Sequence, residues 1–286
     1  MEELKAVLYL VATPIGNLED MTFRAIKVLN EVDFIAAEDT RHTRKLLTHF
    51  DIHTPLIRYD ENNKDIAGAQ IIERLKCGES AACVSDAGLP AISDPGADLV
   101  KLAIEANIKV VPIPGANAAL SGLICSGLDT TQFTFVGFLP KTLKKCREVL
   151  ERLKSHEETL IFYEAPHHLK STLKNLLEIL GNRKAVIARE LTKIHEEFIR
   201  GNLSDLINNF DETEPRGEFV IIIAGDNVEL AENINIKNKN INLVDIYKNF
   251  IAEGLDKKSA MRETAKLLNI SRREVYQSIL DKKDGD

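Results

Sequence analysis

Short apolar runs alternate with amphipathic segments of helical length through the first 126 residues, and this alternation narrows the possible folds most. The apolar runs are AVLYLVAT (6–13), DFIAAED (33–39), SAACVS (80–85) and IKVVPIP (108–114). The segments between them place apolar residues at helical spacing, as Phe23, Ile26 and Leu29 do behind a capping Thr22. Strands separated by helices of this length indicate βαβ units and a mostly parallel sheet.

The second half of the chain predicts another α/β unit. Strands are expected at FTFVGF (133–138), TLIFYE (159–164), KAVIARE (184–190), EEFIRG (196–201) and GEFVIIIAG (217–225). Helices are expected over 142–154, 166–180 and roughly 203–210. The short strands near EEFIRG and GEFVIIIAG favour a partly antiparallel, mixed second sheet.

The chain is therefore predicted to be an α/β protein with four segments. They are an N-terminal α/β domain (1–117), a second α/β domain (118–228), an Asn-rich linker (229–240) and a small helical domain (241–286). The last segment resembles a helix-turn-helix, with Ser271 capping the final helix and Asn269 ending the one before it. Any small three-helix bundle fits the same short pattern.

Composition places the chain among ordinary globular proteins, with 44% apolar residues and a net charge of −7 over 286 residues. We find no apolar run long enough to span a membrane and no signal peptide, so we expect a cytoplasmic protein. The four cysteines are widely spaced, which favours buried thiols in a reducing compartment over a disulfide framework or metal site.

Three long loops rich in Gly and Pro follow predicted strands: ATPIGNLED (12–20), SDAGLPAISDPG (85–96) and PIPGANAA (112–119). Most connections are only about 4–6 residues long, so three such loops in 120 residues indicate more than three unrelated turns. In open α/β sheets, ligands bind beyond the carboxyl ends of the strands. We therefore expect these loops to form a ligand site.

The loops lack the glycine patterns of dinucleotide and P-loop phosphate sites, and they carry no Lys or Arg. They carry Asp86, Asp94 and Asn117 instead. Carboxylates and backbone carbonyls suit a ligand with ribose hydroxyls, an amino group or a positive centre. S-adenosylmethionine has all three.

Six ordered motifs give the chain a resemblance to a known family. They are YLVATPIGNLEDMTFRAIKVLNEVDFIAAEDTRHTRKLL, SDAGLPAISDPG, PIPGANAALSGLICSGL, FTFVGFLP, FYEAPHHL and ARELTKIHEEFIRG, spread over about residues 7–225. Together they resemble the tetrapyrrole-methylase superfamily, and more closely its ribosomal RNA small subunit methyltransferase I family. The terminal helical segment is similar to that family's C-terminal extension.

The resemblance implies a two-domain α/β fold that binds S-adenosylmethionine between its domains and methylates the ribose 2′-hydroxyl of a decoding-centre cytidine in 16S rRNA. It also implies a homodimer. The cofactor contacts it implies are Pro14, Gly16, Asp86, Ala87, Gly88, Pro114, Gly115, Asn117, Ala118, Tyr163, Glu164, Gly217 and Glu218. Ala87 and Gly88 stand where tetrapyrrole-making relatives have Asp-Pro.

Catalytic and substrate-binding residues are expected in the stretch AEDTRHTRK. Glu38 and Asp39 follow a strand on the ligand edge, and one of them is expected to take the hydroxyl proton or orient the ribose. Four further residues are expected to meet RNA from the following helix: Arg41, His42, Arg44 and Lys45. The alternative is that Glu38–Arg41 and Asp39–Lys45 are structural ion pairs.

Three further groups of residues have expected positions or roles. Arg189 and Glu190 end a strand and are expected either to bind substrate or to pair with neighbours. Tyr163 is interpreted as a core or lid aromatic that could stack on a nucleobase. His167 and His168 are expected to diverge on a helix, and the histidine spacings predict no metal site.

Two basic segments are candidate nucleic-acid surfaces. KTLKKCREVLERLK (141–154) holds six Lys/Arg against two Glu, and a solvated helix face explains it equally well. Residues 241–286 hold nine Lys/Arg and eight Asp/Glu. Their possible phosphate contacts are Lys257, Lys258, Arg262, Arg272 and Arg273.

Two other functions are compatible with parts of the sequence. A tetrapyrrole methyltransferase of the corrin or sirohaem pathways would share fold and cofactor, but the helical extension and AEDTRHTR argue against it. A ligand-sensing helix-turn-helix regulator would use the terminal segment on DNA, and the near neutrality of that segment argues against this function.

Overall fold

The computed structural model describes residues 6–211, 214–226, 243–252, 254–267 and 270–281. The chain divides into two compact units, Met1–Gly225 and Asp226–Asp286. The larger unit contains both sheets, and the smaller contains the terminal helices. The predicted boundary at residues 117 and 118 lies within the larger unit and stays a prediction.

The first sheet is wholly parallel and has the strand order β3-β2-β4-β1-β5. Its strands are β1 (Val7–Val11), β2 (Phe34–Ala37), β3 (Leu56–Arg58), β4 (Ala81–Val84) and β5 (Lys109–Ile113). Its helices are α1 (Phe23–Glu31), α2 (Thr40–His49), α3 (Lys64–Lys76) and α4 (Gly96–Glu105), with a short 3₁₀ turn at Leu18–Asp20. The predicted parallel α/β architecture is confirmed.

Burial explains why these runs form the centre of the sheet. Every residue of β2 and β4 is buried, as expected of parallel strands that helices cover on both faces. Apolar side chains of the helices complete a core on each face. Thr22 caps α1 by accepting the Ala25 N–H at 3.1 Å, as predicted.

Strand order places the three long loops together. Strands β4, β1 and β5 are neighbours and run in the same direction, so the loops that follow them leave the sheet at one edge. Strand β2 lies on the other side of β4, which brings Glu38 and Asp39 to the same edge. The sheet topology thus gathers the candidate residues of the first half of the chain.

The second sheet is mixed, as predicted, and has the order β6-β7-β10-β8-β9. β6 runs parallel to β7, and the other neighbours are antiparallel. The strands are β6 (Phe133–Phe138), β7 (Thr159–Glu164), β8 (Lys184–Arg189), β9 (Glu197–Asn202) and β10 (Phe219–Ile223). The helices of this half are α5 (Ala118–Ser126), α6 (Leu143–Leu153), α7 (Leu169–Leu180) and α8 (Leu203–Asp211).

Two sequence predictions about the start of α7 are wrong, and the prediction about the four cysteines of the chain holds only in part. Helix α7 begins at Leu169 rather than 166, because residues 165–168 form a turn in which the His168 N–H donates to the Ala165 carbonyl. His167 and His168 therefore precede the helix, and their rings lie 4.1 Å apart instead of diverging. The prediction that the cysteines are buried holds for Cys83 and Cys146, whereas Cys77 and Cys125 are exposed.

The described residues of the smaller unit form three helices, α9 (Leu243–Ala252), α10 (Lys257–Leu267) and α11 (Arg272–Asp281). Ser271 caps α11 as predicted: its hydroxyl accepts the Glu274 N–H at 3.2 Å, and Glu274 accepts the Ser271 N–H at 2.8 Å. The predicted linker and the predicted helix end at Asn269 lie outside the described residues. None of the described helices is long and apolar enough to cross a membrane.

The core of the second sheet gives a direct test of the fold. Leu173 of α7 is fully buried, so Leu173→Ala is expected to lower the free energy of unfolding by about 2–5 kcal/mol. Lys174→Ala, at an exposed position on the same helix, should change it by less than about 0.5 kcal/mol. Urea denaturation followed by circular dichroism measures both, and equal effects would contradict the assignment of the core.

Candidate active site

A cavity of about 490 Å³ lies between the loops of the two sheets. Its described lining includes five carboxylate side chains and no Lys or Arg. The carboxylates are those of Glu38, Asp86, Asp94, Glu164 and Glu218. A site of this charge favours cations and hydroxyl or amino donors and disfavours phosphate.

The first two loops are tied together at the floor of the cavity. The Thr13 N–H donates to the Gly88 carbonyl at 2.9 Å, and the Gly88 N–H donates to the Thr13 carbonyl at 3.0 Å. Gly88 has φ = +80°, and a Cβ on it would lie 3.3 Å from the Ile15 side chain. The sharp turn beside the cavity therefore requires glycine.

Asp94 holds the 85–96 loop in its irregular conformation. Its carboxylate accepts N–H bonds from Ala91 at 2.9 Å, Ile92 at 3.2 Å and Gly96 at 2.8 Å. Ala91 and Ser93 have φ values of +69° and +65°, a strained region for residues with a side chain. Burial raises the pKa of Asp94 in spite of these three hydrogen bonds.

Glu38 is the half-buried carboxylate at the end of β2. Burial raises its pKa, and the negative charges of Asp86 and Asp94 raise it further. A carboxylate with a raised pKa is a stronger base than one in water. Asp94 also has a raised pKa, but its carboxylate is engaged by three N–H groups, so Glu38 has the character of a proton acceptor at this edge.

Asp39 is engaged differently from Glu38. It caps α2 by accepting the Arg41 N–H at 2.8 Å, and its carboxylate lies 2.9 Å from the Arg41 guanidinium. The hydrogen bond from Arg41 lowers the pKa of Asp39 far below its usual range. The alternative pairs Glu38–Arg41 and Asp39–Lys45 are not among the ion pairs of residues 6–211, and Arg41 pairs with Asp39 instead.

The other predicted residues of α2 lie on an exposed basic surface. A groove of about 500 Å³ is lined by Arg41, Arg44 and Lys45 together with two threonines of the helix. His42 is exposed beside this groove and does not line it. The Asp39 N–H, at the start of α2, donates to Asp86 of the cavity at 3.1 Å, so the basic groove borders the acidic cavity.

Glycines of the first and third loops support the cavity without lining it. A Cβ on Gly16 would lie 2.5 Å from the Lys193 side chain, so Gly16 allows the two halves to approach. A Cβ on Gly115 would lie 2.8 Å from that of Ala12. Pro114 directly precedes Gly115, and Pro14 precedes Gly16 by two residues; like these glycines, both prolines are absent from the described lining.

The remaining predicted residues of the three loops line the cavity. They are Ala87, Asn117 and Ala118, beside Asp86 and Gly88. Asn117 also caps α5, since its side-chain oxygen accepts the Leu120 N–H at 2.9 Å.

The second sheet supplies the opposite wall. The Tyr163 hydroxyl accepts the Ala119 N–H at 3.2 Å, and burial raises the pKa of Tyr163. Glu164 is buried and accepts the Thr172 hydroxyl at 2.6 Å. Glu218 lines the cavity, and Gly217 precedes it with φ = +95°.

Arg189 and Glu190 are held by neighbours beside the cavity rather than in its described lining. Arg189 donates to the Arg216 carbonyl at 2.8 Å, and Glu190 lies 2.9 Å from the Lys193 ammonium group. Glu190 also accepts the Glu218 N–H at 3.0 Å. These contacts favour the alternative in which both residues pair locally.

Sequence reasoning missed several lining residues, namely Leu89, Ile92, Phe138, Ala188 and Leu191. Their apolar side chains are indistinguishable from core residues in the sequence, although the loop position of Ile92 was a signal. In the described ranges, no group of three or more His, Cys, Asp or Glu side chains is arranged to hold a metal ion.

Comparison with known proteins agrees with this geometry. Residues 7–207 match the family of Tetrapyrrole (Corrin/Porphyrin) Methylases. Ribosomal RNA small subunit methyltransferase I of Halalkalibacterium halodurans is 51% identical over 95% of this chain and 94% of its own. The proteins of that name from Bacillus subtilis and Synechocystis are 50% and 47% identical, over 95% and 96% of this chain and 93% and 98% of their own.

Solved structures of low sequence identity share the fold. Cobalt precorrin-4 methyltransferase matches with a TM-score of 0.60 and 16% identity, over 78% of this chain and 97% of its own. Uroporphyrin-III-C-methyltransferase from Thermus thermophilus matches with a TM-score of 0.55 and 20% identity, over 79% and 97%. With relatives about half identical along almost its whole length, the chain belongs to the ribosomal RNA small subunit methyltransferase I family of S-adenosylmethionine-dependent enzymes.

Proposed function

We propose that this enzyme methylates the ribose 2′-hydroxyl of a cytidine in 16S rRNA of the small ribosomal subunit. One observation carries the proposal: an acidic cavity at the sheet edge borders an exposed basic groove on α2. The cavity suits a cationic cofactor, and the groove suits a polyanion. The names of relatives that are 51% and 50% identical supply the substrate class.

The cavity residues fit S-adenosylmethionine. The sulfonium is positive, and it meets carboxylates and no Lys or Arg in the described lining. Gly88 contributes backbone and no side chain to the cavity lining, in a positive-φ conformation that favours glycine. We assign Asp86, Ala87, Gly88, Asn117, Ala118, Tyr163, Glu164 and Glu218 to the cofactor, with Pro14, Gly16, Pro114, Gly115 and Gly217 supporting them.

The remaining roles in the reaction are assigned to residues of the chain. S-adenosylmethionine supplies the methyl group. Glu38 accepts the proton of the ribose hydroxyl, since its raised pKa makes it the better base. Asp39 fixes Arg41 and the start of α2 beside the cavity. The cavity walls orient the substrate and exclude water, which can contribute about 7–11 kcal/mol.

Exposed cations outside the cavity are proposed to hold the RNA. Arg41, Arg44 and Lys45 contact phosphates along the groove on α2, and His42 lies beside them. The terminal helices dock on the ribosomal subunit through Lys257, Lys258, Arg262, Arg272 and Arg273. Arg189 and Glu190 act as supports of the cavity wall rather than as RNA contacts.

Transfer of tritium from labelled S-adenosylmethionine tests the function. The acceptors are small ribosomal subunits, free 16S rRNA and a porphyrinogen. Incorporation into rRNA, located at a cytidine 2′-oxygen by nuclease digestion and mass spectrometry, is expected. Incorporation into the porphyrinogen alone would replace the proposal with tetrapyrrole methylation.

The role of Glu38 predicts a particular pH dependence. Because the pKa of Glu38 is raised, kcat/KM should begin to fall with decreasing pH above the usual glutamate value of about 4.3. Glu38→Gln should lower kcat by about 10²–10⁴-fold and remove this acid limb. Glu105→Gln, at an exposed position on α4, is the control. Activity of Glu38→Gln within tenfold of the wild type would exclude the role.

The terminal helices are expected to serve RNA and not the cofactor. Removal of residues 235–286 should raise the KM for small subunits while the calorimetric Kd for S-adenosylmethionine stays within about twofold, because the cavity lies wholly in the larger unit. Unchanged methylation by the truncated chain would contradict this assignment.

We propose further that the enzyme works in the cytoplasm as a homodimer. Helix α5 buries Ala119 and Leu123 but leaves Leu120 and Ile124 exposed, with 73% of Ile124 accessible. Ultracentrifugation should find a dimer that Leu120→Asp with Ile124→Asp converts to monomer. A wild-type monomer at micromolar concentration would argue against it.

A further inference from the structure

An exposed aromatic ring lies at the rim of the cavity. Phe138, the last residue of β6, lines the cavity and is nevertheless 58% exposed. Its ring lies edge-on to Tyr163, with centroids 5.6 Å apart and planes at 61°. Tyr163 is itself fixed by the Ala119 N–H. The Phe138 ring therefore packs against Tyr163, and much of its surface stays accessible beside the proposed catalytic site.

Three lysines follow Phe138 within seven residues of the chain. Lys141, Lys144 and Lys145 are exposed in the connection to α6 and in its first turn. Within residues 6–211 and 214–226, no acidic side chain forms an ion pair with any of them. Arg147, one turn along, differs because it lies 2.7 Å from Glu178. We call Phe138, Lys141, Lys144 and Lys145 the β6–α6 rim.

The β6–α6 rim matches the chemistry of a single-stranded nucleic acid. Such strands bind where an aromatic ring stacks on a base and unpaired cations contact the backbone. Phosphates are disfavoured inside the cavity, whose described lining is acidic. Phosphates would instead bind to cations outside the cavity. The β6–α6 rim carries such cations beside the second sheet, as α2 carries them beside the first sheet.

We propose that the β6–α6 rim binds the RNA strand next to the target nucleotide. Phe138 stacks on a base, and Lys141, Lys144 and Lys145 contact the phosphates that follow. The strand thus lies across the mouth of the cavity between two basic surfaces. This inference deepens the proposed function and rests on it for the identity of the nucleic acid.

Two substitutions with matched controls test the rim. Phe138→Ala removes the ring, and Phe138→Trp keeps a stacking surface. Lys144→Ala with Lys145→Ala removes two charges from the rim. Arg152→Ala with Lys154→Ala removes two charges from the far end of the same helix, about 12 Å along its axis.

The readout is fluorescence anisotropy of a labelled single-stranded RNA oligonucleotide bound to the full chain. Phe138→Ala should weaken binding about tenfold, and Phe138→Trp should restore it. The double lysine variant should reduce the slope of log Kd against log salt by about 1.4, for two phosphate contacts. The control at Arg152 and Lys154 should match the wild type within about twofold.

Calorimetry with S-adenosylmethionine and the tritium assay separate the possible failures. The inference requires that Phe138→Ala keeps its cofactor affinity within about threefold. A loss of cofactor binding with unchanged RNA binding would assign Phe138 to the cofactor and overturn the inference. Rim variants that bind the oligonucleotide as the Arg152 and Lys154 control does would also overturn it. A wild type that binds the oligonucleotide but methylates no rRNA would overturn the proposed function instead.

Discussion

Parallel alignment of four neighbouring strands is the constraint on which the site depends. Because β2, β4, β1 and β5 lie side by side and point the same way, four chain segments leave the sheet at one edge. Three of those segments are long loops, and the fourth carries Glu38 and Asp39. Without that alignment, the three loops and the two carboxylates would leave the sheet at different places and would not form one site.

The carboxylates at that edge of the sheet repel one another, which destabilises their charged forms. The same negative charge favours the binding of a cation. Burial raises the pKa values of Glu38 and Asp94, and the negative charge of Asp86 raises both further. Three backbone N–H groups offset part of the cost at Asp94 and hold Ala91 and Ser93 in a strained conformation. A cationic ligand would relieve the remaining repulsion, which is why the charge of the site and its proposed cofactor agree.

Much of the fold was predictable because it is encoded locally. Hydrophobic periodicity located the strands and helices, and Thr22 and Ser271 marked helix starts through hydrogen bonds to residues only three positions away. The position of β10 between β7 and β8 depends on pairing across many residues, which no local pattern reveals. The sequence identified those site residues that are polar and follow a predicted strand. The partner of Arg41, the left-handed backbone at Ala91 and the exposure of Phe138 depend on tertiary contacts.

Calorimetric titration of S-adenosylmethionine into the protein at two pH values tests the central claim most directly. Saturable binding is expected near pH 8, and it should weaken as the pH is lowered through the raised pKa values of Glu38 and Asp94, because their protonation removes negative charge from the cavity. Replacement of Asp86 by Asn should weaken binding at the higher pH. Absence of heat at either pH, or affinity that is independent of pH and of Asp86, would contradict the account.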